Sequence, residues 1–104
     1  MPRVLYDKTP TVYIMTNKRN GALYTGVTSD LVLRVWQHKN GYYKGFSRQY
    51  HTDMLVWYEN HSIMESAIIR ETRIKTWKRL WKLKLIEDFN PEWNDLYDNV
   101  RGME

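Results

Sequence analysis

The stretch that decides the fold runs from Thr11 to Asp30, TVYIMTNKRNGALYTGVTSD. Thr11–Met15 is β-branched and aromatic, the composition of a strand. Asn20-Gly21 is a turn signal, because both residues tolerate positive φ. Ala22–Val27 then reads as the returning strand of a hairpin, with Met54–Tyr58 (MLVWY) as a third strand. The hairpin register stays open. A two-residue turn at Asn20-Gly21 sets Tyr13 opposite Thr28, and a wider loop sets it opposite Tyr24. Whenever opposed residue numbers add to an odd constant, Tyr13 and Tyr24 share one face of the sheet, by the period-two rule. From position alone the two phenols read equally as a packed cross-strand pair.

Helices fill the gaps. Ser29 or Asp30 can cap a helix that runs to about Lys39 and closes at Asn40-Gly41. Ser62 and Glu65 have the S-x-x-E spacing of a capping box, opening a second helix through Ile68 and Ile74 towards Trp77. A further helix carries Leu80, Trp81, Leu83 and Ile86 to about Phe89, where Asn90-Pro91 stops it and can open a short final helix. The order β-β-α-β-α-α implies an α+β fold: a small three-stranded antiparallel sheet flanked by helices.

Composition narrows the class. The chain has 104 residues, with 16 Lys and Arg against 12 Asp and Glu, three His and no Cys. That length suits one domain. Hydrophobic residues at 42% and aromatics at 14% are too many for a disordered chain. No apolar run approaches the roughly 18 residues of a membrane span, and Met1–Thr11 lacks a signal-peptide core. The absence of Cys removes disulfides, thiolate zinc sites and cysteine nucleophiles, and suits a cytoplasmic location.

The positive charge is concentrated. Arg70, Arg73, Lys75, Lys78, Arg79, Lys82 and Lys84 are opposed within their segment only by Glu71. A generic basic helix face is usually just solvated, but such concentration is also the footprint of a surface that meets phosphates. Trp77 and Trp81 lie among these cations, where they can stack on bases or anchor a core; core is the expectation for both, and for Trp36, Trp57 and Trp93.

Two more placements point to chemistry. Glu71 lies in line with Met64, Ala67, Ile68 and Ile74, the apolar stripe of the second helix. A carboxylate there needs a partner, and a salt bridge and a bound cation are both open. Arg34 and His38 are four apart on the first helix and share an edge beside its apolar faces, Leu31 with Val35 and Val32 with Trp36. Two cationic groups together suit an anion such as a phosphate, although on spacing alone chance surface placement is the better account.

In order, these residues resemble the GIY-YIG nuclease superfamily in its small stand-alone bacterial form. Thr11-Val12-Tyr13 stands for the Gly-Ile-Tyr motif and Tyr24-Thr25-Gly26 for Tyr-Ile-Gly, with Thr11 and Thr25 as departures. Arg34 and His38 match the first-helix Arg and its neighbour one turn on, and Glu71 matches the glutamate of a later helix. Lys75-Thr76-Trp77-Lys78-Arg79 and Asn90-Pro91-Glu92-Trp93 resemble the downstream signature of the small members. The resemblance spans 11–97, leaving 1–10 as an N-terminal extension and 98–104 as a tail.

The resemblance implies an endonuclease that hydrolyses phosphodiesters with one divalent metal ion, Mg²⁺ or Mn²⁺, held by Glu71. Arg34 would stabilise charge on the phosphate. Tyr13 would be the base or position the water, although a phenol near pKa 10 needs help from neighbouring cations. Tyr24 and His38 would orient phosphate or water, with Asn90 as a possible helper. Lys44, Arg48, Lys75, Lys78 and Arg79 are the expected nucleic-acid contacts, with DNA favoured over RNA as the partner and no membrane involved. The alternative is a non-catalytic nucleic-acid-binding module on the same fold.

Overall fold

The computed structural model describes residues 8–42 and 45–102, with Phe46 known by its backbone. Most of the expected N-terminal extension, and the end of the expected tail, lie outside the described residues. Strands β1 (Thr11–Thr16), β2 (Leu23–Thr28) and β3 (Met54–Asn60) form one antiparallel sheet in the order β2-β1-β3. The helices are α1 (Leu31–Lys39), α2 (Phe46–Tyr50), α3 (Met64–Thr76), α4 (Arg79–Phe89) and α5 (Tyr97–Arg101). Two short helices, α2 and α5, are thus added to the expected order, each too brief to show periodicity in the sequence.

The central strand explains the layers. All six residues of β1 are buried, so both faces of the sheet are covered. Val12 and Ile14 point to one side and pack with Ala67 and Ile74 of α3, Ile86 of α4 and Trp93. Tyr13 and Met15 point to the other and pack with Leu31 and Val35 of α1, Leu55, and Val100 of α5. The residues expected as a tail therefore begin inside a helix that seals a core. Between β1 and β3 the register shifts, with Ile14 opposite Trp57 and Met15 opposite Leu55. Val56 is the extra residue of this bulge, and it joins Trp57 on the α3 side.

The loop between β1 and β2 is wider than a two-residue turn. Thr16 pairs with Leu23, leaving residues 17–22 to connect them. Local side chains set that width: Thr16 Oγ1 donates to the Ala22 carbonyl at 2.7 Å, and Asn17 Oδ1 accepts from the Ala22 amide at 3.0 Å. The resulting register sets Tyr13 opposite Gly26 and Tyr24 opposite Met15, so both phenols lie on the α1 face. Parity holds while neither anticipated partner of Tyr13 is correct.

Three expectations about α3 and α4 change. The Ser62–Glu65 capping box does not form: Ile63 is the N-cap and has no side-chain cap bond. His61 N still donates to the Pro10 carbonyl at 2.7 Å, so the chain stays extended longer and α3 starts one residue too late for that box. Ile68 is exposed, so the apolar stripe of α3 reduces to Met64, Ala67 and Ile74. Trp81 is 58% exposed and Trp36 is also exposed, whereas Trp57 and Trp93 are buried. On α4 the burying face is Leu83 and Ile86, and the Trp81 ring leans edge-on against Trp77 at 6.1 Å.

Asn90 ends α4 but opens no helix. Its Nδ2 donates to the carbonyls of Val56 (3.1 Å) and Asn94 (2.8 Å), and its Oδ1 accepts from Asn94 N. These bonds tie the turn to the β3 bulge. Leu96 N then donates to the Leu55 carbonyl, and Asp95 Oδ1 accepts from Leu55 N, which covers the outer edge of β3.

Gly26 has a steric reason to be glycine. A Cβ there would sit 2.5 Å from both Cζ and Oη of Tyr13, whose ring lies across it. Gly26→Ala is expected to cost about 1–3 kcal/mol, the range for overpacking a closed core. Urea unfolding should show the lower midpoint, and Tyr13 ring resonances should move.

Candidate active site

Tyr13, Tyr24 and His38 form one cluster under α1. His38 leaves α1 one turn after Arg34 and is 6% exposed. Its Nε2 lies 2.9 Å from Tyr13 Oη in a buried hydrogen bond. The Tyr24 ring meets His38 edge-on at 4.9 Å and Tyr13 at 6.2 Å. Tyr13 is fully buried, while Tyr24 is half-buried. The N-cap Asp30, whose carboxylate accepts from Leu33 N at 3.3 Å, fixes where α1 begins and so the height of Arg34 and His38.

Two residues that the sequence did not single out complete the cluster. Ser47 Oγ lies 2.7 Å from His38 Nδ1 and 2.5 Å from Thr52 Oγ1, and all three groups are buried. Ser47 comes from α2 and Thr52 from the turn into β3. No spacing rule marks them, because α2 has only five residues. Among the described residues, no buried side-chain nitrogen or oxygen lacks a hydrogen-bond partner.

The electrostatics favour a neutral imidazole. Burial, followed by the charge of Arg34, lowers the His38 pKa from 6.5 to about 4. Arg34 and His38 therefore do not act as a pair of cations at neutral pH. Arg34 carries the charge, and His38 offers one N–H and one lone pair.

Glu71 stands on the other side of the sheet. It lies on α3 between Ala67 and Ile74, which pack against the Val12 and Ile14 face, and α3 lies over β1 and β2. Its side chain is 15% exposed, and Oε2 is 3.0 Å from Lys75 Nζ. The hydrogen bonds and ring contacts described for the tyrosine–histidine cluster do not include it. Among the described residues no group of three His, Asp or Glu side chains gathers. A hard cation that keeps most of its waters fits a single carboxylate of this kind, while a zinc-type centre does not.

The expected nucleic-acid contacts differ in availability. Arg48 on α2 and Lys78 at the start of α4 are exposed. Lys75 is engaged by Glu71. Arg79 spans back to the hairpin loop, donating to the carbonyls of Asn20 (2.8 Å) and Gly21 (2.7 Å), so it braces β1–β2 against α4. Lys44 lies outside the described residues. Asn90 is fully used by backbone bonds on the α4 side of the sheet.

The lowered His38 pKa has a stability consequence. Between about pH 6.5 and about pH 4 the unfolded chain takes up a proton at this position and the folded chain does not. Stability therefore falls on acidification through that window, by on the order of 3 kcal/mol at most. Urea midpoints measured across that range should decline, and less steeply in His38→Asn.

Residues 9–84 match the model of the GIY-YIG catalytic domain. The chain is 36% identical over 77 residues to a UPF0213 protein of Staphylococcus epidermidis, covering 74% of this chain and 93% of that one. It is 38% identical, with the same coverage, to a UPF0213 protein of Staphylococcus haemolyticus. A UPF0213 protein of Staphylococcus aureus is 35% identical over 69 residues, which is 66% of this chain and 84% of the relative. No solved structure matches. With the family domain spanning most of its length, the chain belongs to the GIY-YIG family, whose nuclease-type domain acts on nucleic acid.

Proposed function

We propose that the protein is a metal-dependent endonuclease that hydrolyses phosphodiester bonds of DNA, including nicked, branched or single-stranded forms. The observation that carries this reading is the convergence of Tyr13, Tyr24 and a neutral His38 beside Arg34. Helices α1 and α3 cover the sheet from opposite faces, and β2 is an edge strand. On this reading a phosphodiester lies along the β2 edge and meets Arg34 from one helix and Glu71 from the other.

Each residue has a role in this arrangement. Arg34 binds the non-bridging oxygens and stabilises the charge that grows on them during attack. Tyr24, the phenol that keeps contact with solvent, orients the attacking water, whose proton passes to solvent as it attacks; Tyr13, buried behind it, supports that position through His38. The water oxygen forms a bond to phosphorus, one ester P–O bond breaks, and the leaving oxygen is protonated from solvent. Glu71 holds a divalent cation, Mg²⁺ or Mn²⁺, which when bound supplies neutralising charge at the phosphate. Lys75 must release Glu71 for this to happen.

That ion pair also favours a second reading, a nucleic-acid-binding module without turnover, in which the Lys75 ammonium permanently occupies the cation's place. Nicking of a panel of structured DNA and RNA substrates with Mg²⁺ or Mn²⁺ separates the two. Under the endonuclease reading, Glu71→Ala or Arg34→Ala lowers cleavage by about 10²-fold or more with binding largely retained. Equal loss of binding and cleavage in folded variants would show that these residues only hold the substrate. Lys78→Ala should weaken binding to all sequences and flatten its salt dependence by about one unit.

A further inference from the structure

The hydroxyls behind His38 form a chain with a defined end. It runs from Tyr13 Oη to His38 Nε2 (2.9 Å), from His38 Nδ1 to Ser47 Oγ (2.7 Å), and from Ser47 Oγ to Thr52 Oγ1 (2.5 Å). Thr52 is 1% exposed and Ser47 3%, so bulk water does not complete the bonding of either hydroxyl. We propose that Ser47 and Thr52 are positioning residues: their hydroxyls decide which nitrogen of His38 carries its proton, and they make His38 a donor to Tyr13 rather than an acceptor from it.

The argument follows from counting protons. A neutral imidazole carries one N–H, and each hydroxyl has one proton to donate. If Nδ1 held the proton, it would donate to Ser47, Ser47 would donate to Thr52, and Thr52 would be left with the Ser47 carbonyl at 3.4 Å. That last contact is too long for a good O–H···O bond. The same carbonyl already accepts from Thr52 N at 3.1 Å. In the opposite polarity each proton of Thr52, Ser47 and the imidazole has a short partner. Thr52 donates to Ser47, Ser47 donates to Nδ1, and the imidazole proton sits on Nε2, where it donates to Tyr13 Oη. The Tyr13 proton is then directed to a partner other than His38.

The backbone is arranged to hold this pair. Gly45 at φ +77° leads into α2, and His51 at φ +54° leads out. Of the α2 side chains described, Ser47 alone is buried. Among the described side chains of this five-residue helix the buried group is a small hydroxyl, and its bond to His38 ties α2 to α1. The depressed His38 pKa keeps the ring neutral, so the choice between tautomers exists throughout the neutral range.

For its effect on cleavage the proposal rests on the endonuclease reading; for the tautomer it does not. The test is a long-range ¹H–¹⁵N spectrum of the ¹⁵N-labelled protein at neutral pH, with His38 assigned from its loss in His38→Gln. The expected result is the Nε2–H tautomer in the wild type, a shift towards Nδ1–H in Thr52→Val and Ser47→Ala, and restoration in Thr52→Ser. Nicking should fall about tenfold or more in Thr52→Val, with DNA binding unchanged, and recover in Thr52→Ser. An Nδ1–H wild type, or a tautomer untouched by Thr52→Val in a folded protein, overturns the assignment. If no variant nicks DNA while the tautomer responds as stated, the endonuclease reading fails and the role of Ser47 and Thr52 stands.

Discussion

The site depends on one close approach, the ring of Tyr13 lying across the bare backbone of Gly26. Because β1 is buried on both faces, its register cannot slip by one residue without exchanging Tyr13 and Met15 for Val12 and Ile14 in the two cores. The register that survives sets Tyr13 opposite Gly26, and only a residue without Cβ lets the phenol lie down towards β2. From there its hydroxyl meets His38, and Tyr24 closes over both. The tripeptide ending in Gly26 thus has a mechanical meaning: its tyrosine provides one ring of the cluster, and its glycine makes room for the other.

The fold was legible because its strongest signals are local and agree with one another. Thr11–Met15 and Met54–Tyr58 can hardly be anything but strands, and Asp30 and Asn40 bracket α1 as their side chains favour. That the tyrosines share a face followed from parity alone, which is insensitive to the loop. What remained hidden was decided by partners distant in the chain. The width of the hairpin loop is held by Thr16, Asn17 and, from α4, Arg79. The late start of α3 follows from His61 pairing with Pro10. Ser47 and Thr52 have no periodic context, and Trp81, read as a core residue, instead lies on the exposed side of α4 just past the break at Trp77 and Lys78.

A polar chain buried beneath a sheet demands full satisfaction, since each unpaired group would cost about 1–3 kcal/mol. The chain from Tyr13 to Thr52 meets that demand without any formal charge, because His38 remains neutral. The two charged candidates, Arg34 and Glu71, are kept on the margins of the two helix layers instead, each less buried than His38. This division is physically economical. Neutral hydrogen bonds can be desolvated cheaply and give orientation, whereas charges at partly exposed positions keep much of their hydration.

The same sorting changes how the basic segment should be understood. Of its seven cations, Arg70 is bonded to Glu59, Lys75 to Glu71 and Lys84 to Asp88, while Arg79 braces the hairpin loop. Among the described residues Arg73, Lys78 and Lys82 have no carboxylate within ion-pair distance, and Lys82 has its pKa lowered by burial and by Arg79. Duplex binding through three phosphate contacts carries a salt slope of about −3, against roughly −6 for all seven. Electrostatics on that scale brings a polyanion to the surface without gripping it. The exposed ring of Trp81, set among those cations, adds an apolar face to the same surface.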